Sequence, residues 1–181
     1  MNTPSHYPMN RRRLLCGCAG LATLSLLGCG QSGDATTSAP AEIDAQSSCS
    51  LDGMQLSDYP GPKGQIRYAG VAEVQWFCDS VELLSVLLAP EQVRAVVSVH
   101  VQDMGQADWD QPRGHWIDAR QALYVLGSKR HGSMGPTAAS FAAEAEAQAF
   151  VQQYGGRLLR YADIKPEMVD LSGGALHDTR M

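Results

Sequence analysis

Two short segments carry soft donor atoms at spacings that suit a metal ion. Cys49-Ser50-Leu51-Asp52-Gly53-Met54 sets a thiol and a thioether five positions apart around a glycine. His131-Gly132-Ser133-Met134-Gly135-Pro136 sets an imidazole and a second thioether three apart. Soft sulfur donors select Cu(I) over hard ions, which demand oxygen. Core methionines sit inside apolar periodic runs, whereas Met54 and Met134 lie among Gly, Ser and Asp. Each pair alone also reads as incidental loop residues, and the two together in one small domain weigh towards a site. A single thiolate, Cys49, would hold Cu(I) firmly. The neutral donors Met54, His131 and Met134 can be displaced one at a time, which suits delivery better than storage. Proton competition should weaken such binding as pH falls through the His and Cys ranges.

Other residues with chemistry read as structural. Cys78, between Phe77 and Asp79 at a strand end, reads first as a small buried hydrophobe, with a metal ligand or a disulfide partner of Cys49 as the alternatives. His115 and Met104 read as supporting or core groups, His100 as exposed, and Trp76, Trp109 and Trp116 as packing residues. His177 with terminal Met181 resembles a secondary copper site, set against a disordered tail as the commoner outcome. Nucleophilic catalysis needs a base beside the nucleophile. No Cys-x-x-Cys, Gly-x-Ser-x-Gly or paired His–carboxylate motif occurs, so the chain is expected not to be an enzyme.

The elements that position these groups follow an N-terminal address. Arg11-Arg12-Arg13 precede fifteen uncharged residues, 14–28, the n-region and h-region of a secretory signal. That run is too short to span a bilayer, which takes about 20 apolar residues. It ends in Leu26-Leu27-Gly28-Cys29, which resembles the lipobox of bacterial lipoproteins, with Cys29 as the acylated first residue. The arginines also resemble a twin-arginine signal. Gly30 after Cys29 resembles the sorting pattern of lipoproteins held in the outer membrane and facing the periplasm, with the inner membrane as the alternative. The expected organisation is therefore a signal peptide over 1–28, a lipidated flexible linker over 29–48, rich in Ser, Ala and Thr, and a folded domain over 49–181.

Of the five cysteines, Cys16 and Cys18 leave with the signal and Cys29 carries lipid, so the domain keeps Cys49 and Cys78. In an oxidising compartment two such cysteines default to a disulfide. A non-metal scaffold lipoprotein with a Cys49–Cys78 bond is thus the alternative reading, and a mass lighter by two hydrogen atoms would reveal the bond. Removing the three signal arginines from fourteen basic residues leaves eleven against nineteen acidic ones. That balance excludes a nucleic-acid binder, which needs a basic face.

Within the domain, alternation predicts strands over 65–68 and 74–78, and Asp79 or Ser80 caps an apolar helix over 81–88 that Pro90 stops. Further strands are expected over 94–104, 116–119, 122–126 and 157–161. A second helix is expected over 141–154, ended by Gly155-Gly156, and a brief one over 166–171. Strands followed by a helix, twice, predict an α+β fold with two similar strand-strand-helix (ββα) halves.

These segments, with Tyr59-Pro60-Gly61-Pro62-Lys63-Gly64-Gln65-Ile66, Trp76-Phe77-Cys78-Asp79-Ser80, Val101-Gln102-Asp103-Met104 and the tail Asp170-Leu171-Ser172-Gly173-Gly174-Ala175-Leu176-His177-Asp178, resemble the NosL family across nearly all of 49–181. The resemblance implies a periplasm-facing lipoprotein Cu(I) chaperone. It would pass copper to membrane-bound maturation machinery and, through it, to the copper–sulfide centre of nitrous oxide reductase. Family members often carry a Cys-x-x-Cys-Gly-Met motif. Here the second position is Asp52, which removes one thiolate and favours a single-cysteine site of Cys49 with Met54.

Overall fold

The computed structural model describes residues 38–171. Cys29, His177 and Met181 lie outside the described residues, as do the signal and most of the linker. The strands are β1 (Gly64–Tyr68), β2 (Gln75–Phe77), β3 (Val96–Gln102), β4 (Trp116–Asp118), β5 (Leu123–Leu126), β6 (His131–Gly132), β7 (Gly135–Pro136), β8 (Ala139–Phe141) and β9 (Arg157–Arg160); the helices are α1 (Ser80–Leu88) and α2 (Glu144–Tyr154). One antiparallel sheet runs β2-β1-β3-β4, a second β8-β5-β9, and β6-β7 form a small hairpin. The α+β class is as expected. In each large sheet the earliest strand is central, and a helix joins the two strands that flank it. The expected likeness of two halves stops at that order of connections, because the first sheet has a fourth strand and the second chain segment has the β6-β7 hairpin inserted.

Local chemistry accounts for α1. Asp79 is extended (φ −141°), and its carboxylate accepts from the Val81 N–H at 2.9 Å, which satisfies one orphan donor of the first turn. Leu83 and Leu84 are fully buried against β1 with Ile66, Tyr68, Phe77 and Val99, each contributing about 1.5–3 kcal/mol by burial. Helix and strand approach so closely that a Cβ on Gly64 would meet Leu83 Cδ1 at 2.6 Å. A second core gathers Trp109, Val125, Phe141 and Phe150 under α2, which ends where Gly155 (φ +74°) donates its N–H to Val151 O. A third, smaller cluster holds Ile43, Cys49, Leu56 and Cys78, with Met54, Trp76 and Trp116 packed around it.

Several boundaries differ from the sequence reading. Phe141 closes β8 instead of opening α2, because the buried run at 138–141 pairs with β5 (Leu123 opposite Phe141) and Ser140 donates to Gln102 O. Phe141 fits the apolar side of a helical pattern, and sheet pairing overrides it. His100 is half-buried in the middle of the first sheet, opposite Gln65 and Asp118, while Val97 carries the exposure. The segment at 166–171 is a short 3-10 turn, Pro166–Met168. Packing also reaches back into the stretch read as linker: Ala41 exchanges two hydrogen bonds with the Gln65 amide (2.8 and 2.9 Å), and Ile43 is buried.

Candidate metal centre

Residues 49–54 form a tight loop. Cys49 N–H donates to Met54 O (2.8 Å), Gly53 N–H to Cys49 O (2.9 Å), and Met54 N–H to the Asp52 carboxylate (2.9 Å). Gly53 sits at φ +78°, a conformation that glycine adopts without strain. Ser50 ties the loop to β2: its N–H donates to Trp76 O (2.8 Å), and its hydroxyl accepts from Trp76 N–H (3.1 Å). The loop thereby lies over the end of β2, where Cys78 precedes the α1 cap. Glu82, one turn into α1, points back at both cysteines.

The result is a cluster in which Cys49, Cys78 and Glu82 are buried and Asp52 is exposed. Cys49 Sγ and Cys78 Sγ each stand 3.3 Å from Glu82 Oε2, and Cys78 Sγ is 3.4 Å from Oε1. One ligand atom from each of Cys49, Asp52, Cys78 and Glu82 lies within 4.8 Å of all the others. The thiols are free, so the disulfide of the scaffold reading is not formed. Cys49 is 3% exposed, and an open cleft of about 360 Å³, lined by Ser47, Ser48, Ser50, Val74 and Trp76 among others, leads to it.

The electrostatics divide the two thiols. A hydrogen bond from the Cys78 S–H, helped by backbone N–H groups, outweighs burial and brings Cys49 down to about 6. Cys78 is pushed up, because losing that proton would put a second anion beside Cys49 in a buried place. Burial and the Cys49 charge raise Glu82 to about 7. One thiolate is thus available near neutrality without metal, and the second needs a cation to displace its proton.

A polar network underlies the cluster. Lys63 is fully buried and donates to Pro60 O and Cys78 O, both at 2.9 Å. Burial lowers its ammonium to about 8, with the Asp79 carboxylate the foremost charge opposing that. Asp79, itself raised to about 6 by burial, accepts from the Thr137 hydroxyl. The β6-β7 hairpin is latched to the same place, since Ser133 Oγ donates to Cys78 O (2.8 Å) and lies 3.3 Å from Cys78 Sγ. Gly132 permits this approach, because a Cβ there would meet Asp79 Oδ2 and the Thr137 side chain. Gly132→Ala is therefore expected to cost about 1–3 kcal/mol of stability by overpacking, measured by urea denaturation; an unchanged midpoint would contradict so close a seat.

The four sequence candidates separate in space. Cys49 and Met54 are together, Met54 half-buried against the cysteine cluster. Met134 is 57% exposed in the hairpin turn beside Ser133. His131 is exposed at the start of β6, its carbonyl accepting from Trp109 Nε1, and it is not a member of the close cluster. Met104 is buried in the second core. Sequence reasoning missed Glu82 and gave Cys78 a packing role. The available signal was a carboxylate four residues after Cys78, inside an otherwise apolar helix.

The two raised carboxyls fix the sign of one pH effect. Glu82 and Asp79 hold protons more tightly in the folded chain (about 7 and 6) than in the unfolded one (4.5 and 3.8). Their contribution is therefore present below the unfolded values and lost as pH rises through the folded ones. The depressed Cys49 acts oppositely only above about 6. The metal-free protein is expected to lose stability as pH rises from 4.5 to 6, with a shallower slope in Glu82→Gln; a rising denaturation midpoint over that range would contradict the burial of both carboxyls.

A family model described as NosL matches residues 40–169. The chain is 37% identical over 167 residues to the copper-binding lipoprotein NosL of Stutzerimonas stutzeri, covering 88% of this chain and 86% of the relative. It is 38% identical over 152 residues to the protein of the same name from Achromobacter cycloclastes, covering 82% and 79%. A crystal structure of the copper chaperone NosL from Shewanella denitrificans aligns with a TM-score of 0.68 at 40% identity, over 71% of this chain and 97% of that one. With a family match over most of its length and relatives at this identity, the chain belongs to the NosL family.

Proposed function

We propose that this protein is a lipid-anchored envelope protein that binds copper as Cu(I) and hands it to membrane-bound machinery assembling the copper–sulfide centre of nitrous oxide reductase. The observation that carries the reading is a buried thiol, Cys49, held in one closed loop with the thioether of Met54 and reached through an open cleft. Soft donors around a buried anionic sulfur suit Cu(I). Relatives at 37–38% identity bear the name copper-binding lipoprotein.

In this reading Cys49 is the anionic ligand and Met54 the thioether beside it. Met134 and His131, both exposed on the hairpin latched to Cys78, are outer donors that a partner displaces as the ion leaves. The role is transfer without catalysis. Acylation at Cys29 would place the domain on the periplasmic face of the outer membrane. Confinement there raises its effective concentration at membrane-bound partners, and the acidic balance of the exported chain suits a partner with a basic docking face. Among the described residues no helix is long and apolar enough to cross a membrane.

The test is genetic and spectroscopic. A strain lacking this gene, grown with limiting copper, should accumulate nitrous oxide reductase without its copper–sulfide centre, and the wild-type gene should restore it where Cys49→Ser does not. A fully loaded reductase in the deletion strain would overturn the delivery role.

A further inference from the structure

We propose that Cys78 is a second thiolate ligand of the Cu(I) site, supplied from the β2–α1 junction in place of the thiol that the 49–54 loop lacks at Asp52. This inference rests on the copper reading above and goes beyond its single-cysteine ligand set. The loop offers one thiol only, because the third position after Cys49 is a carboxylate. The fold brings another thiol to the same point: Cys49 Sγ and Cys78 Sγ both stand 3.3 Å from Glu82 Oε2 and lie within 4.8 Å of each other. With a metal–sulfur bond of about 2.3 Å, two sulfurs on one ion stand about 4 Å apart in a trigonal site and about 4.6 Å in a linear one. The cluster already has that span, so loading requires side-chain rotation and no rearrangement of the backbone.

The surroundings of Cys78 are those of a ligand. Cys78 belongs to the third apolar cluster, where a packing cysteine would serve as a small hydrophobe. Its Sγ, however, faces both oxygens of a buried carboxylate (3.3 and 3.4 Å) and the Ser133 hydroxyl at 3.3 Å. Glu82 is 3% exposed, and the buried ammonium of Lys63 is engaged by two carbonyls. Two thiols and a carboxylate gathered around one point, with no cation hydrogen-bonded to them among the described residues, leave a centre that a cation completes. On loading, Cys49 binds as a thiolate and the Cys78 thiol loses its proton to solvent as the ion takes that proton's place, giving a bis-thiolate copper centre. Met54, packed against the cluster, is a neutral donor at its rim, and Met134 is exposed in the turn next to Ser133. Ser133 Oγ is placed to donate to the Cys78 thiolate, so the hairpin carrying Met134 is fastened to the inner ligand.

The experiment uses the purified full-length lipoprotein, reduced and anaerobic, with silver(I) enriched in silver-109 as a Cu(I) surrogate. Silver–proton couplings report directly which cysteine Cβ protons belong to ligands. Couplings to both Cys49 and Cys78 in the wild type are expected, and this readout depends on no substitution being tolerated. Coupling to Cys49 alone overturns the inference and leaves the copper reading standing. A wild type that takes up neither silver(I) nor Cu(I) overturns the copper reading itself. In parallel, Cys78→Ser should still bind Cu(I), with affinity at least tenfold weaker and one sulfur fewer by copper X-ray absorption; wild-type affinity and sulfur count in a folded Cys78→Ser protein would also overturn it.

Discussion

Cys49→Ser is expected to weaken Cu(I) binding by about a thousandfold or more, equivalent to about 4 kcal/mol. The argument is local. Cys49 is the thiol brought down to about 6, so at neutral pH it binds the ion without first having to lose a proton. A serine hydroxyl is a hard, protonated oxygen of nearly the same size, which keeps the shape of the loop and removes the soft anion. The backbone bonds that close the loop, Cys49 N–H to Met54 O and Gly53 N–H to Cys49 O, do not involve the sulfur, so the fold is expected to survive. Competition against a coloured Cu(I) chelator measures the change, and an affinity equal to wild type would remove Cys49 from the site.

Asp79→Ala is expected to destabilise the metal-free protein by about 2–4 kcal/mol, chiefly by leaving buried donors without their acceptor, and it also removes the foremost charge opposing the desolvation of Lys63. The same change removes the cap of α1 (Val81 N–H at 2.9 Å) and the acceptor of the Thr137 hydroxyl. At about 2–4 °C per kcal/mol for a domain of this size, the melting temperature should fall by about 4–16 °C. Asp79→Asn keeps an oxygen for both hydrogen bonds and should lose less. Equal losses for Ala and Asn would show that charge alone is at stake, and a small loss for Ala would contradict the network.

The part of the centre that was legible in the sequence is the part that is local in it. Cys49 and Met54 share one loop, and their soft donors stand out against a polar background. Asp79 announces α1, and alternation announces β1 to β3. Cys78 and Glu82 were not legible as members of the candidate centre, because what gathers them there is convergence. Glu82 meets Cys49 across 33 positions of chain, and only the pairing of the loop with β2 through Ser50 and Trp76 brings them together. The hairpin at 131–136 looked like a glycine-rich loop because each of its strands is two residues long and is held from outside, by Ser133 on Cys78 and Trp109 on His131 O. The start of α2 was misplaced for the opposite reason: Phe141, which fits the apolar side of the helical pattern, is recruited into the buried strand β8 opposite Leu123.

The central claim is that this chain holds copper through a buried sulfur centre, and an anaerobic Cu(I) titration of the reduced full-length lipoprotein against a coloured chelator tests it most directly. The account predicts that the wild type withdraws one equivalent of Cu(I) from the chelator and that Cys49→Ser withdraws none at the same concentrations. Failure of the wild type to withdraw copper, with both thiols shown to be reduced, would contradict it.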